Sequence, residues 1–152
     1  DWLIETVVEA GLRPHVVLKE SQYLNTEVPI VLEESTAQHP LIGVATALRH
    51  CPTDFALILP CDVPLIQASS LQMLTSHNQA TFAFGTEPEP LLLWLPTHLA
   101  EMAEYFAKHN RPVRKFIESF APCQLPQSEL LNLNTPEVHY EAARQLSSRS
   151  DR

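Results

Sequence analysis

The segment LILPCDVPLI, residues 57–66, ends an apolar run on the carboxylate Asp62 and breaks at Pro64. An unpaired carboxylate is costly inside a sheet, but water, a metal or a ligand can reach it at the end of a strand. Carboxylates at such ends are common ligands of Mg²⁺, which prefers oxygen donors and retains waters and substrate phosphates. The pattern therefore suggests a Mg²⁺ site at Asp62, with turn capping by the same side chain as the simpler alternative.

Two asparagines, Asn132 and Asn134, lie at the end of another apolar run, just before a helix that Thr135 and Pro136 are expected to begin. Free backbone N–H groups at a helix start and amide side chains can receive phosphate oxygens. Asparagine also shapes turns and caps helices. We expect one of the two to shape the turn and the other to serve a site, and the sequence does not distinguish them.

Other reactive residue types show weaker patterns. Arg111, Arg114 and Lys115 form the one basic cluster; such clusters are mostly solvated helix faces, with phosphate binding as the alternative. The seven histidines lack metal-ligand spacing, so each is expected at the surface or in a turn. Cys61 is expected to be a small buried residue rather than a nucleophile.

The elements that must position these residues alternate between strand and helix. Apolar periodicity predicts helices at 1–10, 40–51, 69–78, 97–110, 111–120 and from 135, and buried strands at 15–18, 29–32, 54–60, 80–84, 90–95 and near 131. Gly11 is placed to end the first helix and Thr97 to cap the fourth. This order predicts an α/β fold, a largely parallel central sheet with helices on both faces, and ligands bind beyond the carboxyl ends of such strands.

The composition limits the class of protein. With 45% hydrophobic and 18% charged residues, the 152-residue chain is expected to form one globular domain over residues 1–146, with a disordered tail at 147–152. A net charge of -8 with 10 Lys and Arg residues argues against nucleic-acid binding. The absence of a long apolar segment or signal peptide argues against a membrane role, and three scattered cysteines favour the cytoplasm.

Four blocks resemble, in the same order, the MobA-type nucleotidyltransferases, the molybdenum cofactor guanylyltransferases and their relatives. They span about residues 40–143 and read HPLIGVATAL, DFALILPCDVPLI, EPLLLWLPTHLAEMAEYFAKHNRPVRKFI and LLNLNTPEVHYEAA. The pairing of CDVP with a late NLNTPE is the most specific part of the resemblance. It implies a Rossmann-like three-layer sandwich of the nucleotide-diphospho-sugar transferase type.

The resemblance also implies an activity: transfer of GMP from GTP to the terminal phosphate of molybdopterin, with Mg²⁺ required and pyrophosphate released. Asp62 would be the catalytic metal ligand, and Lys19, Glu34 and Gly43 would contact the nucleotide. Asn132 and Asn134 would lie on the side that receives molybdopterin. Other molybdenum cofactor biosynthesis proteins would be further partners.

The chain departs from the family pattern at its start. Members begin with a strand and a loop of the type LAGGxSxRMG followed by a lysine, whereas this chain has glycine at three positions: Gly11, Gly43 and Gly85. We therefore expect a fragment of a longer protein that folds poorly and does not bind GTP alone. The alternative is a binding or regulatory domain that has lost nucleotide binding.

Three substitutions bear on the choice of nucleotide. Lys19 stands where the family usually has asparagine, Glu34 where it has aspartate, and His39 where it has the glycine before PLxG. Because these changes alter charge and length near the expected base or ribose, a related transferase for another nucleotide, such as a cytidylyltransferase, or for another acceptor, stays open.

Overall fold

The computed structural model describes residues 2–20 and 26–131. Five helices and six strands follow in the order α1 (Trp2–Glu9), β1 (Val16–Leu18), β2 (Ile30–Leu32), α2 (Pro40–His50), β3 (Phe55–Ile58), α3 (Ala68–Thr75), β4 (Thr81–Phe84), β5 (Pro88–Pro96), α4 (Ala100–Lys108), α5 (Val113–Ile117) and β6 (Ala121–Gln124). Short 3₁₀ turns occupy Thr97–Leu99 and Gln127–Glu129. The α/β class predicted from the sequence is confirmed.

The strands form two hydrogen-bonded groups. Strand β1 pairs in parallel with β2, and the other four strands lie in the order β3-β5-β4-β6. Strand β5 runs antiparallel to both its neighbours, whereas β4 and β6 are parallel. The reason is the short connection from β4 to β5, closed by a hydrogen bond from Gly85 N to Glu87 O (3.0 Å), since a tight hairpin joins only antiparallel strands.

Helix α2 forms the centre of one core cluster. Its buried face contains Leu41, Val44, Ala45 and Leu48, the four residues that helical spacing predicts. The helix packs against β1, β2 and β3 on one side and against α4 on another. A helix with so wide an apolar face is held in place by tertiary packing, so the position of its N-terminus relative to nearby side chains is fixed.

The end of α1 also follows its prediction. Gly11 has a φ of 83°, and its N–H donates to Val8 O at 2.9 Å, as in a left-handed C-cap.

Thr97 does not cap α4 as predicted. Its N–H and its hydroxyl both donate to Asp54 O, at 2.8 and 3.2 Å, so the residue ties the end of β5 to the start of β3. A 3₁₀ turn follows, and α4 begins at Ala100. The long-range bond to β3 therefore replaces the local cap.

The prediction that β2 is a buried strand is wrong for two of its residues. Ile30 and Leu32 are 41% and 45% exposed, whereas Val31 between them is half-buried. The alternation of exposed and half-buried residues shows that one face of β2 contacts solvent.

Two further points concern the ends of the fold. Strand β6 was not predicted, because its four residues contain Pro122 and too few branched residues to form a strand pattern. The strand and helix expected after residue 131 lie outside the described residues. In the ranges that are described, no helix is long and apolar enough to span a lipid bilayer.

Candidate active site

Asp62 lies in a turn beyond the carboxyl end of β3, as predicted, and is partly exposed. The next residues anchor this turn, because Val63 and Ile66 are fully buried in the second core cluster. Cys61 is exposed, contrary to the expectation of a buried residue, since the turn directs it to solvent before the chain returns to the core at Val63. The buried side chains of Val63 and Ile66 thus anchor the turn that holds Asp62 at the surface.

A second carboxylate, Glu89, lies beside Asp62. The β3–β5 pairing joins Phe55 to Pro96 and ends at Ile58 and Leu93, and from there the two chain segments continue toward Asp62 and Glu89. The pKa of Glu89 is raised above its ordinary value, first by partial burial and then by the negative charges of Asp62 and Glu87. The two carboxylates therefore lie close enough to interact beyond the end of β3.

An irregularity in β5 accompanies this arrangement. Against β4, Leu93 pairs with Phe82 while Glu89 pairs with the next residue, Ala83, so residues 90–92 of β5 are extra. Bulges of this kind bend a strand and redirect side chains, and they are frequent beside active sites. The bulge lies between the regular part of β5 and Glu89.

The donor set suits a hard cation. Asp62 and Glu89 supply carboxylate oxygens, and a cation between them would offset their mutual repulsion. Across residues 2–20 and 26–131 no three His, Cys, Asp or Glu side chains form a ready metal cage. Mg²⁺ commonly takes one or two protein carboxylates and completes its coordination with waters and phosphates, so this pair fits Mg²⁺.

Lys19 and Glu34 lie at a second location, the carboxyl ends of β1 and β2. A hydrogen bond from Glu33 N to Leu18 O (2.8 Å) extends the pairing of these strands, so the two predicted residues follow it at the same edge. Both side chains are exposed. Lys19 Nζ donates to Gln38 Oε1 at 3.0 Å, in the segment that leads into α2.

Gly43 contacts Glu33, a residue that the sequence did not single out. A Cβ at position 43 would lie 2.9 Å from Glu33 Oε1, so the missing side chain makes room for this carboxylate. Glu33 Oε2 is buried and has no hydrogen-bond partner in the part of the chain that is described. The alternation of side chains along β2 could have identified Glu33 from the sequence, because it puts Glu33 on the same side of the strand as half-buried Val31.

His39 is buried, contrary to the expectation for the histidines, with 8% of its surface exposed. Its Nδ1 accepts from Leu41 N at 3.2 Å and caps α2. Its Nε2 donates to Arg111 O at 2.9 Å, which links the start of α2 to the segment before α5. No local pattern could reveal this contact, because its partners are 72 residues apart.

Each residue of the basic cluster has a partner. Arg114 pairs with Glu87 at 3.7 Å, and Lys115 with Glu118 at 2.9 Å. The guanidinium of Arg111 lies over the rings of Tyr105 and Phe106, 5.2 and 5.4 Å from their centroids.

Arg114 is connected to the acidic pair through Glu87. Because Glu87 also acts on Glu89, the structure brings Arg114 to the side of the fold that carries Asp62. Asn132 and Asn134 lie outside the described residues, so their predicted roles stay predictions.

The fold is α/β, with a carboxylate pair beyond the end of β3, and with Lys19 and the segment that leads into α2 beyond the ends of β1 and β2. This arrangement is typical of proteins that bind nucleotides at the carboxyl edge of a sheet. The sequence profile of the MobA-like NTP transferase domain matches residues 1–127. The chain belongs to this family, as its sequence motifs suggest.

Known proteins agree with this assignment. The molybdenum cofactor guanylyltransferase of Ectopseudomonas mendocina (strain ymp) is 31% identical over 114 residues, covering 70% of this chain and 57% of that protein. The enzyme of the same name from Serratia proteamaculans (strain 568) is 29% identical over 147 residues, covering 86% and 75%. The chain thus spans somewhat more than half to three quarters of these relatives.

A solved structure shows the same fold. The crystal structure of molybdopterin-guanine dinucleotide biosynthesis protein A from Archaeoglobus fulgidus superposes with a TM-score of 0.75 at 19% identity, covering 97% of this chain and 84% of that one. The likeness confirms the Rossmann-like architecture expected from the sequence.

Proposed function

We propose that this protein is a nucleotidyltransferase that transfers GMP from GTP to the terminal phosphate of molybdopterin and releases pyrophosphate. The observation that carries the proposal is the position of Asp62, beyond the end of β3 and near Glu89, in a MobA-like domain. Two relatives named molybdenum cofactor guanylyltransferase support the choice of substrates.

The chemistry is an in-line displacement at the α-phosphorus of GTP. An oxygen of the acceptor phosphate forms the new P–O bond, and the bond to the β-phosphate breaks as pyrophosphate leaves. Negative charge develops on the phosphoryl oxygens, and Mg²⁺, when bound, neutralises it and orients the two partners. Asp62 and Glu89 would hold that ion, and Arg114 would contribute positive charge toward the acceptor phosphate.

The nucleotide would lie along the carboxyl edge of β1 and β2. Lys19 is a flexible donor suited to acceptor oxygens or nitrogens of the ribose or base, and the carboxylate of Glu34 suits their hydroxyl or N–H donors. Because Gly43 has no side chain, the nucleotide could approach the backbone of α2 closely at this position. Asn132 and Asn134 would serve the side that receives molybdopterin.

We extend the proposal to the rest of the chain. Residues 1–146 would form one nucleotidyltransferase domain, with 147–152 as a disordered tail, and GTP as substrate would place the reaction in the cytoplasm. Other molybdenum cofactor biosynthesis proteins would supply or receive its ligands. The 152 residues contain no glycine-rich loop, so by themselves they would be inactive and bind GTP undetectably by calorimetry.

The test is the Asp62→Ala variant of the full-length protein, assayed for the dinucleotide product from GTP, molybdopterin and Mg²⁺. We expect a fall in rate of about a hundredfold or more, because a carboxylate-held metal contributes several kcal/mol to phosphoryl transfer. The matched control is Asp54→Ala, which removes an exposed carboxylate at the other end of β3. Because Asp54 precedes β3 and Asp62 follows it, the rate of this variant should stay near wild type.

Two outcomes count against the proposal. Wild-type turnover by Asp62→Ala would remove that residue from the mechanism. Product from CTP but none from GTP would replace guanylyl transfer by cytidylyl transfer, the alternative that Lys19 and Glu34 leave open.

A further inference from the structure

His39 makes two hydrogen bonds that together determine which ring nitrogen bears the proton. The backbone N–H of Leu41 can only donate, so Nδ1 must present a lone pair. The carbonyl of Arg111 can only accept, so Nε2 must bear the proton. The two bonds together require the tautomer with the proton on Nε2.

The two bonds join parts of the proposed site that have different tasks. Leu41 belongs to the first turn of α2, where Gly43 and Glu33 meet on the nucleotide side. Arg111 precedes α5, whose residue Arg114 pairs with Glu87 on the side of Asp62. His39 is thus a direct link between the two sides.

The Arg111 end of this link is held from a second direction. Its guanidinium lies over Tyr105 and Phe106 of α4, so the side chain anchors the segment while the carbonyl accepts from His39. With Pro112 next in the chain, the backbone here has little freedom. A rigid acceptor makes the His39 bond an effective constraint on the start of α5.

We propose that His39 is a positioning residue that sets the distance between the nucleotide-binding start of α2 and the basic segment that meets the acceptor phosphate. This inference rests on the proposed function. Glycine, which the resemblance gives for this position, has no side chain and could make neither bond.

Two substitutions separate the two bonds. Asparagine is a good N-cap, so His39→Asn preserves the bond from Leu41 N, but its side chain is too short to reach Arg111 O. His39→Gly removes both bonds. The matched control is His50→Asn at the other end of α2, where the ring hydrogen-bonds Thr46 O of its own helix.

We expect His39→Asn to melt near wild type, whereas kcat/KM for molybdopterin falls about two- to tenfold, the effect of one hydrogen bond, and KM for GTP stays within about twofold. His39→Gly should lose thermal stability as well, and His50→Asn should keep wild-type kinetics. Wild-type kinetics with molybdopterin in His39→Asn would overturn the proposal. In that case asparagine would do everything that His39 does, and capping α2 would be the whole role of His39.

A measurement that needs no activity separates this inference from the proposed function. Nitrogen-15 NMR of the His39 ring at pH 7.5 should show Nε2 protonated and Nδ1 bare, and His39→Asn should shift the backbone amides of residues 113–117. The opposite tautomer, or unshifted amides, would refute the link whether or not the protein transfers GMP. Absence of any transfer by the wild-type protein, with the expected NMR result, would refute the proposed function and reduce His39 to a structural link.

Discussion

Gly43 and Glu33 offer a test of whether the glycine serves the fold or the ligand. In Gly43→Ala the new Cβ would lie 2.9 Å from Glu33 Oε1 and 3.9 Å from its Cδ, so the carboxylate oxygen must move. Position 43 lies inside α2 and has no positive φ, so the backbone itself accepts alanine.

The size of the effect follows from two opposing terms. Alanine is favoured over glycine within a helix by about 0.8–1.0 kcal/mol. Forcing the Glu33 side chain away from its preferred rotamer costs about 0.5–1.5 kcal/mol. We therefore expect Gly43→Ala to change the free energy of unfolding little in the wild-type protein and to stabilise it by about 1 kcal/mol once Glu33 is alanine.

The assay is urea unfolding of a double-mutant cycle made from Gly43→Ala and Glu33→Ala. The matched control repeats Gly43→Ala in a Glu34→Ala background, because Glu34 is the exposed neighbour that does not meet the new methyl group. Equal stabilisation of about 1 kcal/mol in all three backgrounds would refute the contact. GTP binding that is lost in the full-length Gly43→Ala, Glu33→Ala protein but kept in Glu33→Ala alone would show that the ligand also needs the glycine.

Two further predictions concern buried or crowded carboxylates. The pKa of Glu89 is raised from the ordinary value of 4.5, so the contribution of this residue to stability is present below pH 4.5 and is lost as the pH rises through the raised pKa. The urea midpoint of the wild-type protein should therefore fall relative to that of Glu89→Gln between about pH 4 and 7. Midpoints that change in parallel with pH would contradict this prediction. Glu129, 8% exposed, accepts from Gln67 N at 3.0 Å at the start of α3, so Glu129→Ala should lower the free energy of unfolding by about 1–3 kcal/mol. Glu129→Gln, which keeps an acceptor, should lose less, and equal losses would show that the hydrogen bond is not the cause.

Local features of this protein could be predicted from its residues alone. The buried face of α2 follows from apolar spacing, and the end of α1 follows from Gly11, because helix periodicity and glycine's freedom are properties of short segments. The position of Asp62 at a strand end has the same origin, since an apolar run that stops at a carboxylate and a proline permits few other structures.

Tertiary structure decided which of these local features meet. Strand β5 runs antiparallel because of its tight connection to β4, and its pairing with β3 brings Glu89 near Asp62. The inward turn of Glu33 toward Gly43 distinguishes it from the adjacent Glu34, which is exposed. These contacts, like the bond from His39 to Arg111, depend on strand register and helix packing across long stretches of chain, and a pattern of neighbouring residues contains no information on either.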